Sequence, residues 1–169
     1  MPELLRQATT TFSLASFTRP ALALPLVQST DTPGIIAELS QVLHREGCIT
    51  DWLPFYQTAL NRELAFNSAL PSGLAFPHAR CPSVRNLQFA IGRLPVAVPW
   101  GGRGSWPVRL VLLMAVPATE AAVYLRLLAG LSRLAQREDL LSDLLHAQDA
   151  EEMIQPLSQV RLELFGNRS

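Results

Sequence analysis

The sequence predicts an α/β fold: a single domain with a mixed parallel and antiparallel sheet flanked by helices. Three observations lead there. The run 108–116 is apolar apart from Arg109, the pattern of a strand covered on both faces. Segments of helical period stand before, between and after the candidate strands. The composition, 49% hydrophobic and 17% charged over 169 residues, is that of a globular chain long enough to bury a core without staples.

Each element follows from local signals. Residues 1–20 carry no clear period beyond a short helix near 4–8 and read as an N-terminal arm. Residues 22–27 read as a short strand ending in Gln28-Ser29-Thr30. Asp31 or Thr32 can cap a helix with Pro33 in its first turn. Ile35, Ile36, Leu39, Val42 and Leu43 give that helix an apolar face, and Gly47 stops it. Thr50 or Asp51 starts a second helix running to about Ala65, with Phe55, Ala59 and Leu60 on one face. Residues 66–86, rich in Pro, Ser and Gly, read as a loop. Residues 87–94 alternate in polarity and 96–100 follow, giving two short strands. Gly101-Gly102-Arg103-Gly104 reads as a turn, and Pro117 ends the strand 108–116. Thr119 caps a helix over 120–136. Shorter helices follow over 138–146 and 150–157, the last capped by Asp149. The expected division is an arm over 1–20, a domain over 21–160 and a tail over 161–169.

Charge and cysteine content narrow the function. Fourteen acidic residues balance fourteen basic ones, and every basic residue is Arg. A neutral chain has no global field for nucleic acid or an anionic membrane surface. The absence of Lys removes Schiff-base chemistry and a Walker-type phosphate lysine. Cys48 and Cys81 make neither a disulfide scaffold nor a zinc spacing and read as reduced thiols. No apolar run approaches the ~20 residues of a membrane span, so a cytoplasmic protein without membrane insertion is expected. Arg6, Arg19 and the Ser/Thr content of the arm share only composition with a transit peptide.

Three histidines are present. His44 and His146 fall at helix ends, where imidazole is commonly a surface group. His78 stands in Gly73-Leu74-Ala75-Phe76-Pro77-His78-Ala79-Arg80. Gly73 releases a turn, Leu74-Ala75-Phe76 is a short apolar strand, and Pro77 forces an extended entry. The imidazole is thus delivered on a loop at a strand end, with small Ala79 beside it. A neutral imidazole can carry a group covalently, and the backbone amides of Ala79 and Arg80 can face an anion. Ser72 and Cys81 flank this loop without an elbow or helix start to activate them. Trp52, Trp100 and Trp106 read as core or edge aromatics.

These residues carry a resemblance. From about Ala23 to Leu157 the chain resembles the type-2 enzyme IIA family of the bacterial sugar phosphotransferase system, which spans fructose, mannitol and nitrogen-regulatory members. Gly73 to His78 reproduce the family's G-x-A-[IVF]-P-H. Arg62-Glu63-Leu64 stand where the family has an Arg-Glu pair, sixteen positions before the histidine. The buried strand with its following proline matches 108–117, and Tyr124 to Leu131 match the family's H-L-x-x-L-A-x-L helix except at its first position.

The resemblance implies a mixed sheet flanked by helices and a phosphoryl carrier without cofactor or metal. Phosphorylated HPr, or its nitrogen-branch counterpart, is the implied donor to His78. An enzyme IIB or regulatory target proteins are the implied recipients. Arg62 is implied as a neutraliser of phosphate oxygens, and its alternative role is a solvated helix arginine. The family's second histidine is replaced by Tyr124, whose phenol can donate a hydrogen bond but cannot become a cation. Pro71 stands where the family has a glycine near the start of the loop. The expected protein is a stand-alone component carrying neither transporter nor IIB domain. The competing reading is a non-catalytic interaction module on the same fold. A hydrolase using His78 as base lacks a partner nucleophile and acid.

Overall fold

The apolar run recognised in the sequence is the axis of the fold. The computed structural model describes residues 12–101, 105–119 and 121–163. In chain order these form β1 (Phe12–Ser13), β2 (Ala23–Leu24), α1 (Thr32–Arg45), α2 (Trp52–Ala65), β3 (Leu74–Ala75) and β4 (His78–Arg80). There follow β5 (Gln88–Pro99), β6 (Pro107–Val116), α3 (Ala121–Ala135), α4 (Glu138–His146), α5 (Ala150–Leu157) and β7 (Arg161–Leu162).

The main sheet has the order β2-β5-β6-β3, with β4 also paired to β6. β5 and β6 are antiparallel, while β2 on β5 and both β3 and β4 on β6 are parallel. This is the mixed sheet the sequence predicts. Its two faces follow from the period of two along β6. Leu110, Leu112, Met114 and Val116 pack with α3, α4 and α5. Val111, Leu113 and Ala115 pack with α1 and α2. The sheet therefore lies between two helical layers, and every residue from Leu110 to Val116 is at most 2% exposed.

Three helices start where the caps predict. Asp31 accepts from Gly34 N at 2.8 Å, Asp51 from Leu53 N at 3.3 Å and Asp149 from Glu152 N at 2.9 Å. Each satisfies an amide that the first turn leaves without a partner. Gly47, at φ +76°, follows the end of α1 in the left-handed region.

The strands depart more. The strand expected over 22–27 is Ala23–Leu24 only, because Pro25 has no donor for the ladder. The two strands expected over 87–94 and 96–100 are one, β5, with a register shift between Arg93 and Val98. The loop expected over 66–86 contains β3 and β4. Leu74 pairs with Leu110 and His78 with Met114 at one offset, so the two are one edge strand interrupted at Phe76-Pro77. Pro77 cannot donate, but its carbonyl still accepts from Met114 N at 2.9 Å.

Residues 12–17 belong to the body rather than to an arm. Leu14 is fully buried, Phe17 is 9% exposed, and β1 pairs antiparallel with β7. Aperiodic sequence hid this, since a strand of two residues and a single 3₁₀ turn show no period. The helix expected near 4–8 and the residues 102–104 of the glycine turn lie outside the described residues. Among the described residues no helix is long and apolar enough to cross a membrane.

Candidate functional site

His78 opens β4 at the sheet edge, half-buried. Alternation along the edge strand turns Leu74, Phe76 and His78 toward the α3 layer, and Ala75 and Ala79 toward α1 and α2. The His78 ring therefore meets the first turns of α3. Its centroid lies 5.5 Å from that of Tyr124, with the planes tilted by 47°.

Two arginines act on this pair. Arg62, in the last turn of α2, acts on both His78 and Tyr124, and Arg80 acts on Tyr124. Burial pushes the His78 imidazole below its ordinary pKa, and the Arg62 cation lowers it further. A hydrogen bond with the Phe76 backbone and the Glu63 carboxylate oppose that shift. The ring is accordingly neutral at pH 7, with one nitrogen lone pair free. Burial pushes the Tyr124 phenol up, against the lowering influence of the two arginines, so it keeps its proton. Arg62 is exposed and stacks its guanidinium 5.4 Å from the centre of the Phe66 ring. Arg80 is fixed by two bonds to the Ala118 carbonyl, from Nε at 3.1 Å and Nη2 at 2.7 Å.

The two backbone amides considered as phosphate donors differ in direction. Pro77 and Cys81 both bond with β6, so by alternation the Ala79 amide also turns toward β6 and the Arg80 amide toward the open edge.

Sequence reasoning passed over the support beneath His78. Glu63 is 2% exposed. Its Oε1 accepts from Trp100 Nε1 at 2.6 Å and from both the backbone N and the Oγ of Ser68 at 2.8 Å. Ser68 Oγ in turn accepts from Phe76 N at 3.0 Å. The Arg-Glu pair marked Glu63, but nothing local marked Ser68, and Trp100 read only as a core aromatic.

The remaining candidates lie apart from this cluster. Ser72 lines a cleft of about 530 Å³ with Ala135, Gln136 and Leu141, at the far end of α3 from Tyr124. Cys81 Sγ lies 3.1 Å from Ser83 Oγ, and Cys48 is buried. His44 Nδ1 is 3.3 Å from the Ile49 carbonyl, and His146 Nδ1 is 2.8 Å from that of Ser142, both at helix ends. Trp100 is buried, whereas Trp106 is 52% exposed. Among the described residues no three His, Cys, Asp or Glu side chains lie together as a metal site.

Comparison with known proteins agrees with this architecture. The chain is 32% identical over 135 residues to a fructose-specific EIIABC component of the phosphotransferase system from Bacillus subtilis, covering 79% of this chain and 21% of that protein. It is 28% identical over 96 residues to a nitrogen regulatory protein of Bradyrhizobium diazoefficiens, covering 57% and 63%. The chain thus spans about a fifth of the length of the EIIABC relatives it matches. The fold is similar to that of nitrogen regulatory protein IIA-Ntr from Neisseria meningitidis, with a TM-score of 0.72 at 22% identity over 85% of this chain and 98% of that one. It is also similar to mannitol enzyme IIA from Escherichia coli in its complex with phosphorylated enzyme IIB, with a TM-score of 0.70 at 17% identity over 82% and 95%. The family model for the phosphoenolpyruvate-dependent sugar phosphotransferase system, EIIA 2, matches residues 17–160, nearly the whole described fold, and the chain belongs to that family.

Proposed function

We propose that this chain is a phosphoryl carrier that accepts the group on His78 from the phosphohistidine of HPr or its nitrogen-branch counterpart. The free lone pair of the neutral His78 ring attacks phosphorus. The bond between phosphorus and the donor's ring nitrogen breaks, and its electrons return to the donor. Such a transfer is chiefly positioning and charge stabilisation, and the residues around His78 suit both. Arg62 supplies a planar donor fork for the equatorial oxygens. The Tyr124 hydroxyl and the outward amide of Arg80 add neutral donors.

The observation that carries this reading is the environment of His78: a half-buried histidine kept uncharged by burial and by Arg62, beside Tyr124. Phe66, under the Arg62 guanidinium, and Leu125, next to Tyr124 in α3, are 71% and 62% exposed, which suits contact with a protein rather than enclosure of a small molecule. The group then passes to an enzyme IIB, a reading supported by the likeness of the fold to a mannitol enzyme IIA solved in complex with phosphorylated enzyme IIB, or its presence regulates target proteins.

The test is phosphorylation in the presence of phosphoenolpyruvate, enzyme I and HPr, and again with the nitrogen-branch donors. Intact mass is read under alkaline conditions for the wild type and His78→Ala. One phosphate adduct, absent from the variant, is expected. No adduct with either donor pair would overturn the carrier reading in favour of a binding module.

A further inference from the structure

The half of β6's neighbour that carries His78 is an edge strand, and its outward backbone groups need partners. Residues 74, 76 and 78 point theirs away from β6. The loop between α2 and β3 supplies the partners: Leu70 N donates to the Leu74 carbonyl at 2.8 Å, and Ser68 Oγ takes the Phe76 amide at 3.0 Å. The next outward group is the Phe76 carbonyl, two residues before His78, and the Phe76 backbone favours the protonated form of that ring.

We propose that Ser68, oriented by the buried Glu63, is a positioning residue that fixes the His78 ring through Phe76. The direction of each bond is determined. A carboxylate only accepts, so the single Ser68 hydroxyl proton must go to Glu63 Oε1. The oxygen of Ser68 is then left as an acceptor, and it takes the Phe76 amide. With that amide held, the Phe76 carbonyl faces the imidazole and accepts its N–H. A ring nitrogen that donates is no nucleophile, so the other nitrogen is left bare for phosphorus. Glu63 is itself locked by Trp100 Nε1 and the Ser68 amide. Among the described residues it has no ion-pair partner within 4.0 Å. A carboxylate buried in that way is costly to keep, and its geometric role explains its presence.

The inference rests on His78 as the phosphoryl acceptor, but its first readout does not. Long-range proton–nitrogen correlation on the unphosphorylated, ¹⁵N-labelled protein at alkaline pH reports the His78 tautomer, assigned by comparison with His78→Ala. The wild type should show one tautomer. Ser68→Ala and Glu63→Met, which removes the acceptor at similar length, should each show a mixture, and Ser68→Ala should slow phosphorylation by about tenfold, as misplaced reacting groups do. Ser68→Thr, which restores the hydroxyl, should recover both. Thermal unfolding of each variant establishes that it is folded at the temperature used, and Glu63→Met carries the test if Ser68→Ala is not. A single wild-type tautomer in both variants overturns the proposal, as does slower transfer with an unchanged tautomer. If the wild type takes no phosphate, the carrier reading fails, and the tautomer alone decides the positioning claim.

Discussion

His78 owes its reactivity to where it is held. Burial and Arg62 both favour the uncharged ring, so its titration midpoint should lie below the usual ~6.5, and Arg62→Ala should move it up. Nuclear magnetic resonance titration measures both, and a midpoint in Arg62→Ala equal to that of the wild type contradicts the coupling. The same shift fixes the sign of a stability effect. As pH falls from about 6.5, the unfolded chain takes up this proton before the folded one, so stability is complete above that value and declines on acidification toward the folded midpoint. At Tyr124, a half-buried and still protonated phenol offers one neutral hydrogen bond. Tyr124→Phe should slow phosphorylation about tenfold, the worth of roughly one such bond. Tyr124→His should speed it, because an imidazolium donor is charge-assisted; rapid-quench kinetics giving the same rate for His and Tyr would remove this role. At this scale the sequence named His78, Arg62 and Tyr124, because a spaced motif carries them. Ser68 stands just past the end of α2 and Trp100 far along the chain from Glu63, so no helix or strand period announces their contact.

Elements were legible in proportion to their length. The helices α1 to α5 show helical period, and α1, α2 and α5 also carry Asp caps. The edge strand was read as loop because β3 and β4 hold two and three residues, too few for alternation to show, and are stabilised by pairing with β6. The continuity of β5 was hidden by Pro95, which sits within its register shift. One side chain ties these layers together. Arg93 of β5 donates from Nε to the Pro25 carbonyl at 2.9 Å, and from Nη1 to the carbonyls of Leu144, Leu145 and Ala147 at 3.2, 3.2 and 2.6 Å. It thereby joins the end of β2 to the end of α4, whose last carbonyls have no helical partner. Arg93→Ala should cost about 2–3 kcal/mol in denaturant unfolding, since it leaves part-buried carbonyls unpaired. A loss within error of zero would show that water replaces the guanidinium.

The described fold is closed by its first and last strands. β1 and β7 pair across α3, and Arg126 and Arg133 of that helix donate to the carbonyls of Glu163 and Arg161 at 2.9 and 2.6 Å. At Gly130 the helix approaches this clasp so closely that a Cβ would strike Leu162 and come within 2.9 Å of Leu14. Gly130→Ala should therefore destabilise by about 1–3 kcal/mol through overpacking, despite the better helix propensity of alanine. A gain in thermal midpoint would show that the clasp yields. Because α3 also carries Tyr124, the clasp supports one wall of the site from its far side. The sequence showed the three layers but not this closure, which depends on pairing between the first and last strands. The central claim is that phosphate arrives on His78. With three histidines in the chain, the most direct measurement is fragment mapping of the phosphorylated protein by mass spectrometry at alkaline pH. The account predicts the whole adduct on the fragment containing His78. Phosphate on the fragments carrying His44 or His146 would contradict it.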